Sequence, residues 1–491
     1  MLILRSALFA LFCAAFAAPT FAAGPTIDIV LGEKAEPLEK FAAEEMAGQL
    51  KKLFAAEVRI GTSLPSGSKN IVLIGTEQSN PFFKSLNLNL PAVLQHDYAL
   101  KSYSHDGTSV LVVVGANPQS VLWAGYELGW RLGIRYFTFG DLYPTAPPAF
   151  TTAGFDVMIR PAAREIAWNP TFASPLDFAP WGIDDAHAYL RQLVKLRYRK
   201  IVLGAGGAQL GGKETGLPIP ITGDTMGRAA FKGKRVFDNP SLEQAASPEA
   251  RAAAAKELIQ QLRTEAQKLG IEVVDSTTAE TAPSADVLIS PNSDYYQVAN
   301  SRLDADERFS QATILSDILT SVCGAEVDTR VQQAFDQCDR AAVVVNRHDD
   351  QLGALQPKML LRHFDSDEPP PGWWNDARTH YLNAMNEMYR ANTRAREGGR
   401  AFTLYYARRF EFGYEYMNTV EAIRKAGIAK RKGDNGTQIA ELEKAIDSVT
   451  NACNAMAAVA RSPRDRGVIA VMNEYGYRPL LKLLEEADAA Q

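Results

Sequence analysis

Ser109-Val110-Leu111-Val112-Val113-Val114-Gly115-Ala116-Asn117-Pro118-Gln119-Ser120-Val121-Leu122-Trp123-Ala124-Gly125-Tyr126-Glu127-Leu128 is the stretch on which the fold turns. A valine-rich apolar run of strand length stops at Gly115. Asn117-Pro118 then opens a helix over Gln119–Leu132, and Gly133-Ile134-Arg135-Tyr136-Phe137 returns to strand character. Upstream, Tyr98–Tyr103 reads as a strand joined to Ser109–Val114 by a turn at His105-Asp106-Gly107. Asn70–Gly75 is a buried strand ended by glycine, and Val58–Ile60 is a short one. Glu36–Phe54 carries Leu38, Phe41, Ala42, Met46, Leu50 and Leu53 at helical spacing, which predicts an amphipathic helix. Thr26–Leu31 alternates as a first strand. The expectation is a small sheet with helices on one side.

The order of these pieces carries a resemblance. A strand ending in Ile74-Gly75, a hairpin with Asp106-Gly107, Gly115-Ala116-Asn117-Pro118, and a helix with Trp123-Ala124-Gly125-Tyr126-Glu127-Leu128 follow one another. Gly133-Ile134-Arg135-Tyr136-Phe137 and Gly140-Asp141 complete the series. Residues 25–150 thus resemble the accessory domain that precedes the catalytic barrel in alpha-glucuronidases, and the corresponding domain of beta-hexosaminidases is similar. In those enzymes the domain packs on the barrel and carries no catalytic acid. The resemblance therefore implies carbohydrate context rather than chemistry.

Further along, Arg160–Trp168 reads as a strand, Asp184–Leu196 as a helix and Lys200–Gly204 as a second strand. A glycine-rich loop, Gly204–Gly216, separates it from a helix at Ser247–Leu269 and a third strand at Gly270–Asp275. Three βα units in this rhythm look like the opening of a (β/α)8 barrel, whose site lies at the C-terminal ends of its strands. The pattern then stops: one short strand, Asp286–Ser290, is the last candidate before Leu303. Roughly 150 residues are available where a full barrel takes about 250. In the related hydrolases the catalytic carboxylates sit on later strands, which this sequence lacks.

Everything after Asp304 reads as helix: Asp306–Val322, Val331–Val345, Trp373–Arg396, Phe402–Ala426, Gln438–Val459 and Val468–Ala489. Pro369-Pro370-Pro371-Gly372 is a firm break, and Lys430–Gly436 a polar loop. The predicted class is α/β: a small α/β N-terminal domain (24–153), an incomplete (β/α) barrel-like middle (154–303) and an α-helical C-terminal domain (304–491) behind a leader at 1–23.

The leader has Arg5, an apolar run at Leu8–Ala18 and small residues at Thr20-Phe21-Ala22-Ala23, the pattern of a cleaved secretory signal. The run is shorter than the roughly 18–20 residues that span a bilayer. A periplasmic or extracellular location, with no membrane span, is the expectation. The chain is 46% hydrophobic and 22% charged with net charge −5, which suits a globular protein and speaks against nucleic acid as a partner. Cys13 lies in the leader, and Cys323, Cys338 and Cys453 read as small buried apolar residues, although Cys323 and Cys338 are close enough in sequence to pair. Neither Cys-x-x-Cys nor His-Glu-x-x-His occurs, Gly204–Gly216 lacks the phosphate-loop spacing, and there is no Gly-x-Ser-x-Gly elbow. No cofactor and no metal is implied; His348, Asp349, Asp350 and His363 match no ligand rhythm.

Glycoside hydrolysis uses two carboxyl groups flanking the bond. Asp275, at the end of the third strand, and Glu280, on the loop above, are the catalytic candidates, or else a solvated loop pair. Asp365, Asp367 and Glu368 form a further acidic group before the proline break. Arg164 and Trp168 fall near the C-terminal end of the first barrel-like strand. Trp373 and Trp374 offer aromatic faces for a sugar, and Arg390 and Arg394 offer guanidinium groups for an anionic one. Arg396, Arg400, Arg408 and Arg409 follow, with Tyr405 and Tyr406 beside them. These side chains equally suit a charged helix face held by Glu387 and Glu397, with the tryptophans in the core. The expected partner is a glycan or oligosaccharide. The expectation is an exported carbohydrate-active protein of glycoside-hydrolase type acting on glycans, including acidic ones. A non-catalytic glycan binder or a helical protein-interaction scaffold stands as the alternative.

Overall fold

The structure is a computed structural model that describes residues 24–161, 166–168, 181–203, 221–222, 236–237, 239–242, 244–275, 293–305, 310–349, 352 and 359–490. The leader, Arg164, the Gly204–Gly216 loop, Glu280, Asp286–Ser290 and Asp350 lie outside them.

The N-terminal sheet is built from β1 (Thr26–Val30), β2 (Glu57–Gly61), β3 (Ile71–Gly75), β4 (Tyr98–His105), β5 (Thr108–Gly115) and β8 (Asp156–Ile159), in the order β2-β1-β3-β5-β4-β8. The four strands at one end are parallel; β4 runs antiparallel to β5, and β8 antiparallel to β4, so in the direction of the first four. Alternate residues separate two faces. Ile27, Ile29, Val72, Ile74, Leu111 and Val113 face α1 (Pro37–Phe54) and α3 (Pro118–Arg131). Val30, Leu73, Val110, Val112 and Val114 face Phe83 of the short helix α2 (Phe82–Ser85) and the apolar residues of the segment from Leu64 to Val93, which covers the side left without long helices. The strand β8 begins the stretch expected to open the barrel, yet it closes the edge of this sheet against β4.

Helix α3 starts where the sequence says it should. The Asn117 side chain accepts the Ser120 N–H, Ser120 returns the bond to the Asn117 N–H, and Pro118 supplies a preset φ. Every residue from Ser120 to Trp130 is buried. A helix buried all round has neighbours on every side: the sheet lies on one side and the rest of the chain on the other.

The hairpin β6 (Arg135–Phe137) and β7 (Gly140–Leu142) has a two-residue connection, Thr138-Phe139, made possible by the positive φ of Gly140. The middle region holds three parallel strands, β9 (Ala167–Trp168), β10 (Lys200–Leu203) and β13 (Glu272–Asp275), in the order β13-β10-β9. Along the chain, a two-stranded ribbon, β11 (Ile221–Thr222) and β12 (Val236–Phe237), falls between β10 and β13, which pair directly with each other. Helices α4 (Ile183–Lys195) and α5 (Pro248–Lys268) connect the parallel strands, as the sequence predicts. The next helix, α6 (Ser293–Ala305), crosses the boundary drawn at Leu303 from sequence.

The helical region comprises α7 (Gln311–Val322), α8 (Asp328–His348), α9 (Met359–Phe364), α10 (Gly372–Arg394), α11 (Glu397–Arg431), α12 (Asn435–Ala457), α13 (Pro463–Met472) and α14 (Arg478–Asp488). The final predicted helix is split by a π-helical turn at Asn473–Tyr477. Pro479 has no N–H to return to Tyr475, so the regular ladder cannot pass through this point. Close helix packing depends on glycine: a side chain at Gly427 would overlap the Phe364 carbonyl. Cys323, Cys338 and Cys453 are buried and form no disulfide. Among the described residues no helix is long and apolar enough to cross a membrane. The architecture is α/β, with a sheet-based N-terminal part and a helical C-terminal part.

Candidate functional site

Several parts of the chain meet at one small cleft. The β6–β7 turn brings Thr138 and Phe139, the start of α4 brings Trp181 and Tyr189, and α6 brings Asp294. Helix α11 adds Tyr405 and Arg409, and the first turn of α13 adds Ser462, Arg464 and Asp465.

The position follows from topology. In a parallel βα unit, the helix after a strand begins at that strand's C-terminal end. Trp168 ends β9, and Trp181 precedes α4. Their rings lie 6.3 Å apart, and Tyr189 completes the cluster at 4.9 Å from Trp168 and 4.6 Å from Trp181. The cleft therefore opens at the C-terminal edge of the barrel-like strands. Asn239 fixes Trp181 by donating to its carbonyl at 2.7 Å, and Ser241 Oγ accepts the Ile183 N–H at 3.2 Å. Asp185 accepts the Gly182 N–H and pairs with Arg466 at 3.7 Å; burial raises its pKa.

On the opposite wall, Arg409 is nearly inaccessible. Its Nη1 donates to Asp294 Oδ2 at 2.9 Å and to the Tyr405 hydroxyl, and lies 3.9 Å from Asp465 Oδ1. Tyr405 donates to Asp465 at 3.3 Å, and Thr138 Oγ1 to Asp294 at 3.2 Å. Burial would lower the pKa of Arg409, but Tyr405, Asp294 and Asp465 outweigh it and raise it. Asp465 Oδ2 accepts from the Arg461 and Ser462 N–H groups and the Ser462 hydroxyl, which caps α13. Both carboxylates of this wall are thus engaged as acceptors. The result is a small cleft with Phe139 and Tyr189 partly exposed at its walls, Trp181 and Tyr405 buried behind them, and a fixed set of donors and acceptors.

The residues singled out from sequence are scattered about this cleft. Trp168 packs on its aromatic wall and Arg409 lines it. Asp275 lies at the same edge of the parallel sheet, paired in register with Leu203, but its side chain is 71% exposed and ion-paired with Arg263 of α5. Trp374 requires correction as a sugar platform: it is 2% exposed and donates to the Met417 carbonyl at 3.1 Å, so its faces are spent on the core. The Trp373 ring is stacked on His348 at 5.2 Å and 8°. Arg390 is exposed and pairs with Glu387, which also holds Arg330 at 2.7 Å; Arg394 is exposed at the end of α10. Neither arginine lines the cleft. Arg408 turns away from the cleft to Glu411. Asp367 pairs with Arg431 at 2.7 Å.

Sequence reasoning missed Phe139, Trp181, Tyr189, Asp294 and Asp465. The last had a signal, since Ser462-Pro463-Arg464-Asp465 has the spacing of a capped helix start. Asp349 is gripped by both bonds of Arg362, at 2.8 and 3.0 Å. Buried His363 is pushed down to about 3 by burial and by Arg362 and Arg424. Among the described residues no group of three His, Cys, Asp or Glu side chains is placed to hold a metal. Among the described residues the exposed large apolar side chains, Ile60, Leu94 and Val343, lie far apart in the sequence.

No protein-family model and no curated protein matches the chain. A GH115 4-O-methyl-alpha-glucuronidase with specificity for decorated arabinogalactans is similar in structure, with TM-score 0.54 and 11% identity over 92% of this chain and 80% of that one. A GH138 enzyme targeting pectin rhamnogalacturonan II aligns at TM-score 0.47 and 9% identity, over 94% of this chain and 79% of its own. The first likeness is one of fold.

Proposed function

We propose that this chain is an exported, carbohydrate-active protein of glycoside-hydrolase-like architecture that holds a glycan in this cleft. The observation that carries the reading is the placement of the Trp168–Trp181–Tyr189 cluster opposite the Arg409–Asp294–Asp465 wall, at the C-terminal edge of parallel strands. The fold likeness to a glucuronidase supports the substrate class, and the leader at 1–23 supports export. The test is a panel of neutral, uronate-containing and sulfated glycans, followed by thermal shift and by release of reducing ends.

A second reading, hydrolysis, is favoured by the position of Asp275 on the same sheet edge as Trp168. Asp275 and Glu280 are then the carboxyl pair. In that case Asp275→Asn cuts sugar release at least about a hundredfold. It moves stability by less than about 1 kcal/mol, because the ion pair with Arg263 is exposed. Undiminished release from the variant removes Asp275 from the reaction. A glycan that raises the melting temperature of the wild type and is never cleaved assigns the cleft to binding alone.

A further inference from the structure

A second, smaller cavity is lined by residues of α3, the end of α4 and α6, and shares no lining residue with the cleft. Trp123, Glu127, Lys195, Arg197, Ser301 and Arg302 surround it. Its space is that of a water molecule or a monatomic ion, and is far too small for a sugar.

The charges around it do not balance. Lys195, Arg197 and Arg302 are all largely buried cations. Asp141 holds Lys195 at 2.7 Å, and Glu127 holds Arg302 at 2.6 Å while also accepting from Arg131 at 2.8 Å. Arg197 has no carboxylate among the described residues. Its Nη1 donates to the Tyr98 hydroxyl at 3.0 Å, and its Nη2 to the carbonyl and hydroxyl of Ser301. The partial negative charge at the end of α4 offsets only part of a full unit. Two donors are also left over: the Arg197 Nε–H and the Trp123 indole N–H are buried with no acceptor among the described residues. The two residues are 4% and 1% exposed, so bulk water does not serve them. A buried donor without an acceptor is costly, more so on a charged group. The backbone adds an independent sign. Arg197 has a φ of 60°, in the left-handed region that glycine usually takes after a helix. Such a cost on a residue other than glycine clusters at functional positions.

We infer that this cavity binds a monatomic anion, chloride under ordinary ionic conditions, held by the Trp123 indole N–H and the Arg197 Nε–H. A halide accepts from both donors and supplies the missing negative charge. Water could accept the same bonds, but it leaves the charge excess standing and brings two protons that need acceptors of their own. The ion ties α3 to α6, the helix whose Asp294 lines the cleft.

The test is the melting temperature of the full chain after dialysis into sodium gluconate, with gluconate then replaced by chloride or bromide at constant ionic strength. Holding ionic strength fixed removes general screening as a cause. The wild type should melt about 2 °C or more higher in halide, with a shift that saturates. Trp123→Phe keeps the ring and loses the N–H, and should weaken the apparent halide affinity about tenfold or more. Arg197→Gly suits the left-handed backbone and removes the charge, and should abolish the shift. Where the glycine variant does not fold, Trp123→Phe carries the comparison. Crystals grown in bromide should show an anomalous peak within hydrogen-bond reach of Trp123 Nε1 and Arg197 Nε. Equal wild-type melting in gluconate and halide, an undiminished halide affinity in Trp123→Phe, or a cavity holding water alone in the bromide crystals would each overturn the anion site.

Discussion

Replacing Glu127 with alanine is expected to lower the stability of the fold by about 3–5 kcal/mol, the cost of removing one partner from a buried ion pair. Glu127 is 2% exposed, on the buried helix α3. Its two oxygens accept from Arg302 of α6 at 2.6 and 3.3 Å and from Arg131 at 2.8 Å. Arg302 is itself 5% exposed, and its guanidinium lies 4.4 Å from the Trp130 ring. Alanine would leave that buried guanidinium without the carboxylate that holds it by two hydrogen bonds. Glutamine keeps the shape and part of the hydrogen bonding, so Glu127→Gln should cost less. Urea denaturation of the three proteins gives the order; equal midpoints would contradict it.

The same group predicts a pH dependence. Burial alone would raise the pKa of Glu127, but the charge and hydrogen bonds of Arg302, with Arg131 and Arg197, outweigh it and bring it from 4.5 to about 2. A carboxylate lowered on folding binds its proton more readily in the unfolded chain. Its contribution is therefore present in full above pH 4.5 and is lost as pH falls towards 2. The Glu127→Gln variant should lack this part of the acid destabilisation.

Arg409→Met is the second large effect, also about 3–5 kcal/mol. It leaves Asp294 and Asp465, at 10% and 3% side-chain exposure, without their common countercharge. The cleft should lose its glycan response as well, because α6, α11 and α13 are joined through this one nitrogen. Asp294→Asn in the Arg409→Met background removes half of the stranded charge and should recover part of the loss. A double-mutant cycle measures that recovery. Strict additivity of the two substitutions would show that the pair does not interact.

Much of the fold was legible because its signals are local. The valine run before Gly115, the Asn117-Pro118 helix start and the βα rhythm around Lys200–Leu203 each depend on neighbours in sequence. The cleft was harder to read because its lining residues come from five separated segments. Arg409 was visible as one of several arginines, but nothing near it in sequence separates it from Arg408, which points to Glu411 instead. That difference is set by the one-residue rotation of about 100° around a helix. Trp373 and Trp374 show the same effect, one partly exposed and one in the core. Glu127 read as an ordinary helix residue, since its partner Arg302 lies far along the chain. The strand β8 escaped notice because Asp156–Ile159 is short and its pairing with β4 is long-range.

The most direct test of the central claim is the thermal response of the wild type and of Tyr189→Ala to the glycan panel. Tyr189 lies on the aromatic wall without taking part in the buried ion pairs, so the variant should fold. A glycan that raises the melting temperature of the wild type and leaves Tyr189→Ala nearly unmoved is the predicted result. Equal shifts in both proteins, or no shift from any glycan in the wild type, would contradict the assignment of this cleft as a sugar site.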